Sequence, residues 1–327
     1  RKVSVTGPIG KTVVCEYGVI ENTDGKTGEK TEEKTAVIEI AKAAGLTLLS
    51  EEERNPLYTT TYGVGEVIKD AVRNGCRKFI VGIGGSATND GGAGMLQALG
   101  FGLLKENGEQ IPIGARGLEE LAEITDDNVI PELAECKFKI ACDVTNVLCG
   151  ETGASAVYGP QKGADEEMTE RLDRLLFSYA SLVKKKIPKA DSMYPGTGAA
   201  GGLGFAFLTF MDAQLESGIQ IVIKETGLEQ EIAKADLVIT GEGRMDGQTA
   251  MGKAPIGIAK IAKKYGKPVI AFAGAAARDA GACNEQGIDA FFPILREAVS
   301  LEAAMKRENA EANMEAAVEQ AYRLWRL

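Results

Sequence analysis

Apolar residues in this chain fall into two kinds of run, and the difference sorts its secondary structure. At 63–75, GVGEVIKDAVRNG, the residues Val64, Val67, Ile68, Ala71 and Val72 recur at the three- and four-residue steps of one helical face, and Gly75 stops them. The same spacing marks 166–187, where Leu172, Leu175, Leu176, Tyr179 and Leu182 form a stripe suited to core packing. Short unbroken runs at 79–83, 138–141 and 237–239, and later in PVIAFAG and DAFFPI, read instead as buried strands. Residues 2–20 place β-branched runs on either side of Gly7-Pro8 and Gly10, a hairpin signal, and the polar stretch 22–34 reads as a solvated loop. Further helices are expected over 93–99, 255–265 and 301–327, the last with Leu324 and Trp325 docking its end.

The order of these elements predicts an α/β fold. Helix, strand, glycine loop and helix follow one another across 63–99, and the same rhythm returns after 235. These two blocks, 60–99 and 232–327, are expected to form one doubly wound parallel sheet. A second α/β domain, 1–59 and 100–231, would interrupt it.

Composition narrows the function. A length of 327 residues with 44% hydrophobic content leaves room for two domains, and a net charge of −10 with no basic stripe argues against nucleic-acid binding. No apolar stretch reaches the roughly 18 residues of a membrane span, and no secretory pattern follows Arg1, so the expected setting is the cytoplasm with no membrane partner. The six cysteines show no CxxC pair. The absence of histidine excludes His-based triads, His-ligated metals and His proton shuttles. Any general base is then a carboxylate, Lys or Tyr, which favours phosphoryl transfer, where positioning and electrostatics do most of the catalysis.

Two glycine-rich segments carry the candidate chemistry: FIVGIGGSATNDGGAG at 79–94 and ADLVITGEGRMDGQTAMGKAP at 235–255. Both follow an apolar run, so each loop is expected at the carboxyl end of a strand, where open α/β sheets bind ligands. Glycine lets backbone amides approach phosphate oxygens. Neither segment is a standard phosphate motif. Residues 247–253 have the glycine and lysine spacing of a Walker A loop but carry Ala254 where a Ser or Thr would hold Mg²⁺. Residues 82–87 approach the dinucleotide fingerprint, which keeps an NAD-dependent dehydrogenase as an alternative. A catalytically inactive nucleotide-binding protein is a second alternative. Lys162, in GPQKG, reads as a solvated loop lysine.

Four long motifs in sequence order, GIGGSATNDGGAGM, ACDVTNVLCGETGASAVYGPQKGA, GTGAAGGLGFAF and TGEGRMDGQTAMGKAPIGIA, resemble the bacterial glycerate kinase family. The resemblance implies ATP- and Mg²⁺-dependent phosphorylation of D-glycerate, with a lean to the 2-hydroxyl. It also implies two α/β domains, one flavodoxin-like and interrupted by the other, and leaves a homo-oligomer open. Family members usually carry a preceding segment with DSFKG-like and ADGGEGT-like motifs, and this chain has no counterpart to it. The flavodoxin-like domain and its site are therefore expected to be incomplete at the amino end. On this reading Gly84, Gly85 and Ser86 cradle nucleotide phosphates, helped by Thr88 and Asn89, and Asp143, Asn146 and Gly241 belong to the same binding set. Asp90, Asp143, Glu242 and Asp246 divide metal binding and proton acceptance. Asp246 is the preferred base, Glu242 and Asp90 the Mg²⁺ ligands, and Arg244 and Lys253 the cations for carboxylate or phosphoryl charge.

Overall fold

The computed structural model describes residues 1–23 and 30–327, and these form two compact units, Arg1–Ser217 and Gly218–Leu327. Twelve strands run through them: β1 Lys2–Thr6, β2 Thr12–Glu16, β3 Gly18–Thr23, β4 Lys30–Glu39, β5 Cys76–Gly82, β6 Gly102–Leu104, β7 Glu123–Thr125, β8 Lys137–Ala141, β9 Asp212–Glu216, β10 Val238–Met245, β11 Val269–Ala276 and β12 Ala290–Pro293. Both units are α/β, as the element order predicts.

The first unit is built on a five-stranded sheet in the order β3-β4-β5-β8-β9. Only the β3–β4 pair is antiparallel. In β4 the residues Ala36 and Ile38 are buried and alternate with Val37, the period of a strand set against a core. Phe79 of β5 stacks on Phe138 of β8 at 4.6 Å between ring centres, and Phe207 of the helix Ala199–Phe210 packs on Phe138 at 5.7 Å. That helix therefore covers one face of the sheet's centre. The helix Tyr62–Arg73 buries the predicted Val64, Val67, Ile68, Ala71 and Val72. The helix Glu166–Lys186 is capped by Asp165, which accepts from the Met168 amide at 2.8 Å, and it ends on Lys184, Lys185 and Lys186, where cations suit the helix dipole. Leu172, Leu175, Leu176 and Tyr179 of its stripe are buried. The β1–β2 hairpin forms as expected.

The second unit holds a parallel sheet in the order β10-β11-β12. Alternate residues of β11 enter two different clusters. Ala271 and Ala273 pack with Ile256, Ala259 and Ala262 of the helix Ala254–Lys264, whereas Phe272 packs with Ala321 of the helix Arg307–Trp325. Helices thus cover both faces of this sheet, the doubly wound arrangement.

Several expectations are corrected. The runs 79–83 and 237–239 do not share a sheet: β5 lies between β4 and β8 in the five-stranded sheet, and β10 pairs with β11 in a separate one. The compact units accordingly divide after Ser217 and do not follow the discontinuous boundaries expected from the sequence. Of the stretch 22–34, Thr23 and Lys30–Lys34 lie in the β3–β4 ladder, and residues 24–29 fall outside the described residues. The carboxyl-terminal helix leaves Leu324 and Trp325 exposed at 64% and 45%. All six cysteines are free thiols. Among the described residues no helix is long and apolar enough to cross a membrane.

Candidate active site

A cavity of about 330 Å³ opens in the first unit at the carboxyl ends of β5 and β8. Its walls come from the segment after β5 (Ile83, Gly84, Gly85, Ser86), the segment after β8 (Cys142, Asp143, Val144), and the stretch carrying Tyr158, Gln161 and Lys162. Ala199 and Ala200 close one side. This is the crevice outside strand ends where α/β sheets place ligands. The glycine-rich run 196–204 shapes it. Ala200, Gly201 and Gly202 all adopt left-handed backbone, with φ of 53°, 68° and 93°. This turn brings the Gly201 carbonyl to within 2.9 Å of the Gly91 amide and locks the run against the loop that follows β5.

The residues predicted on the β5 loop separate into two groups. Gly84 and Gly85 are exposed on the cavity wall, and among the described residues their amides donate to no protein acceptor. The Ser86 hydroxyl is buried and accepts from Lys162 at 3.0 Å. Thr88 and Asn89 are fully buried and do not line the cavity. Asn89 donates to Ser155 Oγ at 2.9 Å, and Thr88 offers its carbonyl, not its hydroxyl, to Lys162.

Asp90, expected as a catalytic or metal-binding residue, does not line the cavity. It is completely buried, and its carboxylate accepts from the Thr61 amide at 2.8 Å, the Thr61 hydroxyl at 2.9 Å, the Gly92 amide at 3.1 Å and the Gly94 amide at 3.2 Å. Desolvation pushes its pKa up, and these donors oppose the shift. The group pins the loop to the start of the helix Tyr62–Arg73.

After β8, Asp143 does line the cavity, accepting from Ser217 Oγ at 2.9 Å. Asn146 sits behind it. Its amide donates to the Thr152 carbonyl at 2.9 Å, and its side-chain oxygen accepts from the Tyr158 hydroxyl at 2.6 Å, so it positions Tyr158, which lines the cavity. Lys162 is not a solvated loop lysine. It is 2% exposed, and its ammonium donates to Ser86 Oγ and, at 2.6 Å, to the Thr88 carbonyl. Nothing in GPQKG marks this burial. The signal lies in tertiary structure, where the turn Pro160–Lys162 packs under the β5 loop.

The second unit carries the other predicted residues, and there the expected loop is mostly strand. β10 runs through Met245, so Gly241, Glu242 and Arg244 are ladder residues opposite Phe272, Ala273 and Ala275. A Cβ on Gly241 would lie 2.3 Å from the Phe272 carbonyl, so this glycine serves close strand pairing and not a phosphate cradle. The loop begins at Asp246. Asp246 Oδ1 accepts from the Gln248 amide at 3.0 Å and the Thr249 amide at 3.1 Å, and the buried Thr249 hydroxyl donates to Glu242 and lies 3.3 Å from Asp246 Oδ1. Lys253 stands 3.8 Å from Asp246. Desolvation raises the Asp246 pKa, but the Thr249 amide, the Lys253 charge and the Gln248 amide outweigh it, and the carboxyl lies below its usual range. Arg244 is exposed and makes no ion pair among the described residues. Glu242, Asp246 and Thr249 therefore gather as one hard-oxygen cluster with Lys253 beside it.

Several known proteins are similar to this chain over most of its length. A model of the glycerate kinase family matches residues 1–326. A curated glycerate kinase of Halalkalibacterium halodurans is 48% identical over 307 residues, which cover 94% of this chain and 78% of that protein. A glycerate 2-kinase of Escherichia coli K12 is 47% identical, with 94% and 78% covered. A crystal structure described as glycerate kinase 2 of Salmonella typhimurium LT2 superposes with a TM-score of 0.82 at 46% identity, covering 98% of this chain and 82% of that one.

Proposed function

Since this chain belongs to the glycerate kinase family, we propose that it transfers the γ-phosphoryl group of ATP to D-glycerate and yields 2-phosphoglycerate. The observation that carries this reading is the family match over residues 1–326, at 46% to 48% identity to the three relatives above. A cytoplasmic setting, expected from the sequence, suits a reaction that consumes ATP.

The cavity of the first unit has the groups that bind an anion and orient it. The exposed amides of Gly84 and Gly85 donate to phosphate oxygens, and Tyr158 and Asp143 border the same space. Because phosphoryl transfer has little covalent work for the protein, holding the reactants in line and stabilising charge accounts for most of the acceleration.

Mg²⁺ fits the second unit's oxygen cluster. No three His, Cys, Asp or Glu residues gather as a metal site among the described residues. That agrees with an ion that takes one or two carboxylates and draws its other ligands from water and substrate phosphates. Glu242 and Asp246 would hold it, and it would neutralise negative charge on the transferring group. The Thr249 hydroxyl fixes both carboxylates relative to each other. Asp246, with its lowered pKa, stays ionised and is a weak proton acceptor, so it suits a cation better than the role of general base. Asp143 is the carboxylate we assign to the glycerate hydroxyl proton. Lys253 and Arg244 supply cationic charge beside the cluster.

The test is ADP release coupled to a spectrophotometric reporter, with ATP, Mg²⁺ and D-glycerate. Release that requires D-glycerate is the expected result. Glycerate-dependent NAD⁺ reduction without ADP release would replace the reading with a dehydrogenase, and neither reaction would leave an inactive nucleotide-binding protein.

A further inference from the structure

Lys162 is buried at the wall of the cavity with no carboxylate at ion-pair distance among the described residues. It is 2% exposed, and among the described residues it makes no ion pair. Two of its three donors go to neutral acceptors, Ser86 Oγ at 3.0 Å and the Thr88 carbonyl at 2.6 Å. Asp90 is the charge that acts on it across the β5 loop, but that carboxylate is already filled by donors from Thr61, Gly92 and Gly94. Burying an ammonium without a counter-charge is unfavourable, and such groups collect at functional sites. The fold nevertheless holds the lysine firmly. Gly163, with φ of 94°, ends its turn against the Arg54 carbonyl, where a Cβ would lie 2.4 Å away. Both Lys162 and its partner Ser86 line the cavity beside the exposed amides of Gly84 and Gly85.

An ammonium without an ion-pair partner, a hydroxyl and two exposed amides on one wall form the donor set of an oxyanion receptor. We propose that Lys162 is the cationic anchor of an oxyanion subsite in this cavity, engaged by either the glycerate carboxylate or a phosphate of ATP. The naming of those two oxyanions rests on the glycerate kinase reading, and the existence of the subsite does not. Burial lowers the Lys162 pKa to about 7, opposed by Asp90, so a bound oxyanion would restore its proton from solvent. The other titratable groups in this neighbourhood are Tyr179, whose hydroxyl is buried near Asp90, Arg54 beside Gly163, and Cys142, Asp143 and Tyr158 on the cavity wall.

The experiment compares the wild type with K162M by calorimetry using inorganic phosphate, and by steady-state kinetics with ATP and D-glycerate. Removing a charge-assisted contact should weaken phosphate binding and raise one KM by roughly ten- to hundred-fold. A rise confined to ATP identifies a phosphate as the occupant, and one confined to glycerate identifies the carboxylate. A folded K162M with unchanged phosphate binding and both KM values unchanged overturns the proposal. If K162M does not fold, wild-type protein carrying ¹³C at lysine Cε serves. The lysine resonance that titrates near neutrality should move its midpoint upward on adding phosphate, and a midpoint that stays put overturns the proposal. A wild type that releases no ADP would remove the kinase reading, while phosphate calorimetry would still decide the subsite.

Discussion

Two buried ionisable residues define the interior around the cavity, and neither role is visible in the sequence. Asp90 stands in a glycine-rich loop beside Thr88 and Asn89, the company of a ligand-binding carboxylate, yet four protein donors consume it. Two of those donors come from Thr61, 29 residues earlier, which no local pattern could reveal. Lys162 sits in a polar turn, and only the packing of that turn under Ser86 and Thr88 buries its amine. Its burial has a measurable consequence. With a pKa of about 7 in the ligand-free fold and roughly 10.4 in the unfolded chain, Lys162 is protonated only in the unfolded state between these values. The unfolded state then binds more protons, so this group's contribution to stability rises with pH across that window, by at most about 1.4 kcal/mol per pH unit. Urea unfolding of wild type and K162M from pH 7 to pH 10 should show the wild type gaining stability relative to the variant. A constant difference would mean that Lys162 keeps its charge in the fold.

At the scale of elements, legibility followed periodicity. The helix Tyr62–Arg73 and the stripe of Glu166–Lys186 were readable because their apolar residues repeat at helical steps and are buried as that repeat requires. The β10 segment TGEGRM reads as loop from sequence because its glycines and charges hide any alternation. Pairing with β11 makes it strand, and Gly241 is there because the Phe272 carbonyl leaves no room for a Cβ. The turn at Ala200–Gly202 gives the sharpest test of such packing. A Cβ on Gly201 would lie 2.0 Å from the Thr88 carbonyl and would have to adopt φ of 68°, so G201A should lose about 2 kcal/mol or more. Ala200 already carries the strain of a left-handed residue, with φ of 53°. A200G exchanges that strain for chain entropy, and its stability should stay within about 0.5 kcal/mol of the parent. Denaturant midpoints of the two variants measure both effects, and equal losses would contradict this account of the turn.

For the whole molecule, the α/β class and the family were legible from motif order, whereas the partition into units was not. Both glycine segments follow apolar runs, which invited one sheet. Which strands pair is set by tertiary contacts, and β5 pairs with β4 and β8 while β10 pairs with β11. The cavity at the ends of β5 and β8 and the oxygen cluster after β10 are thus separate features of the two units, each described by its own residues. The proposed reaction moves phosphate between two anions on a protein of net charge −10 and so depends on local cations and amides. The most direct measurement is phosphorus and proton NMR of the product formed from ATP and D-glycerate. The account predicts 2-phosphoglycerate, its phosphorus coupled to the single proton at C2. A phosphorus coupled to the C3 methylene would contradict the proposed regiochemistry, and the absence of any phosphoglycerate would contradict the kinase itself.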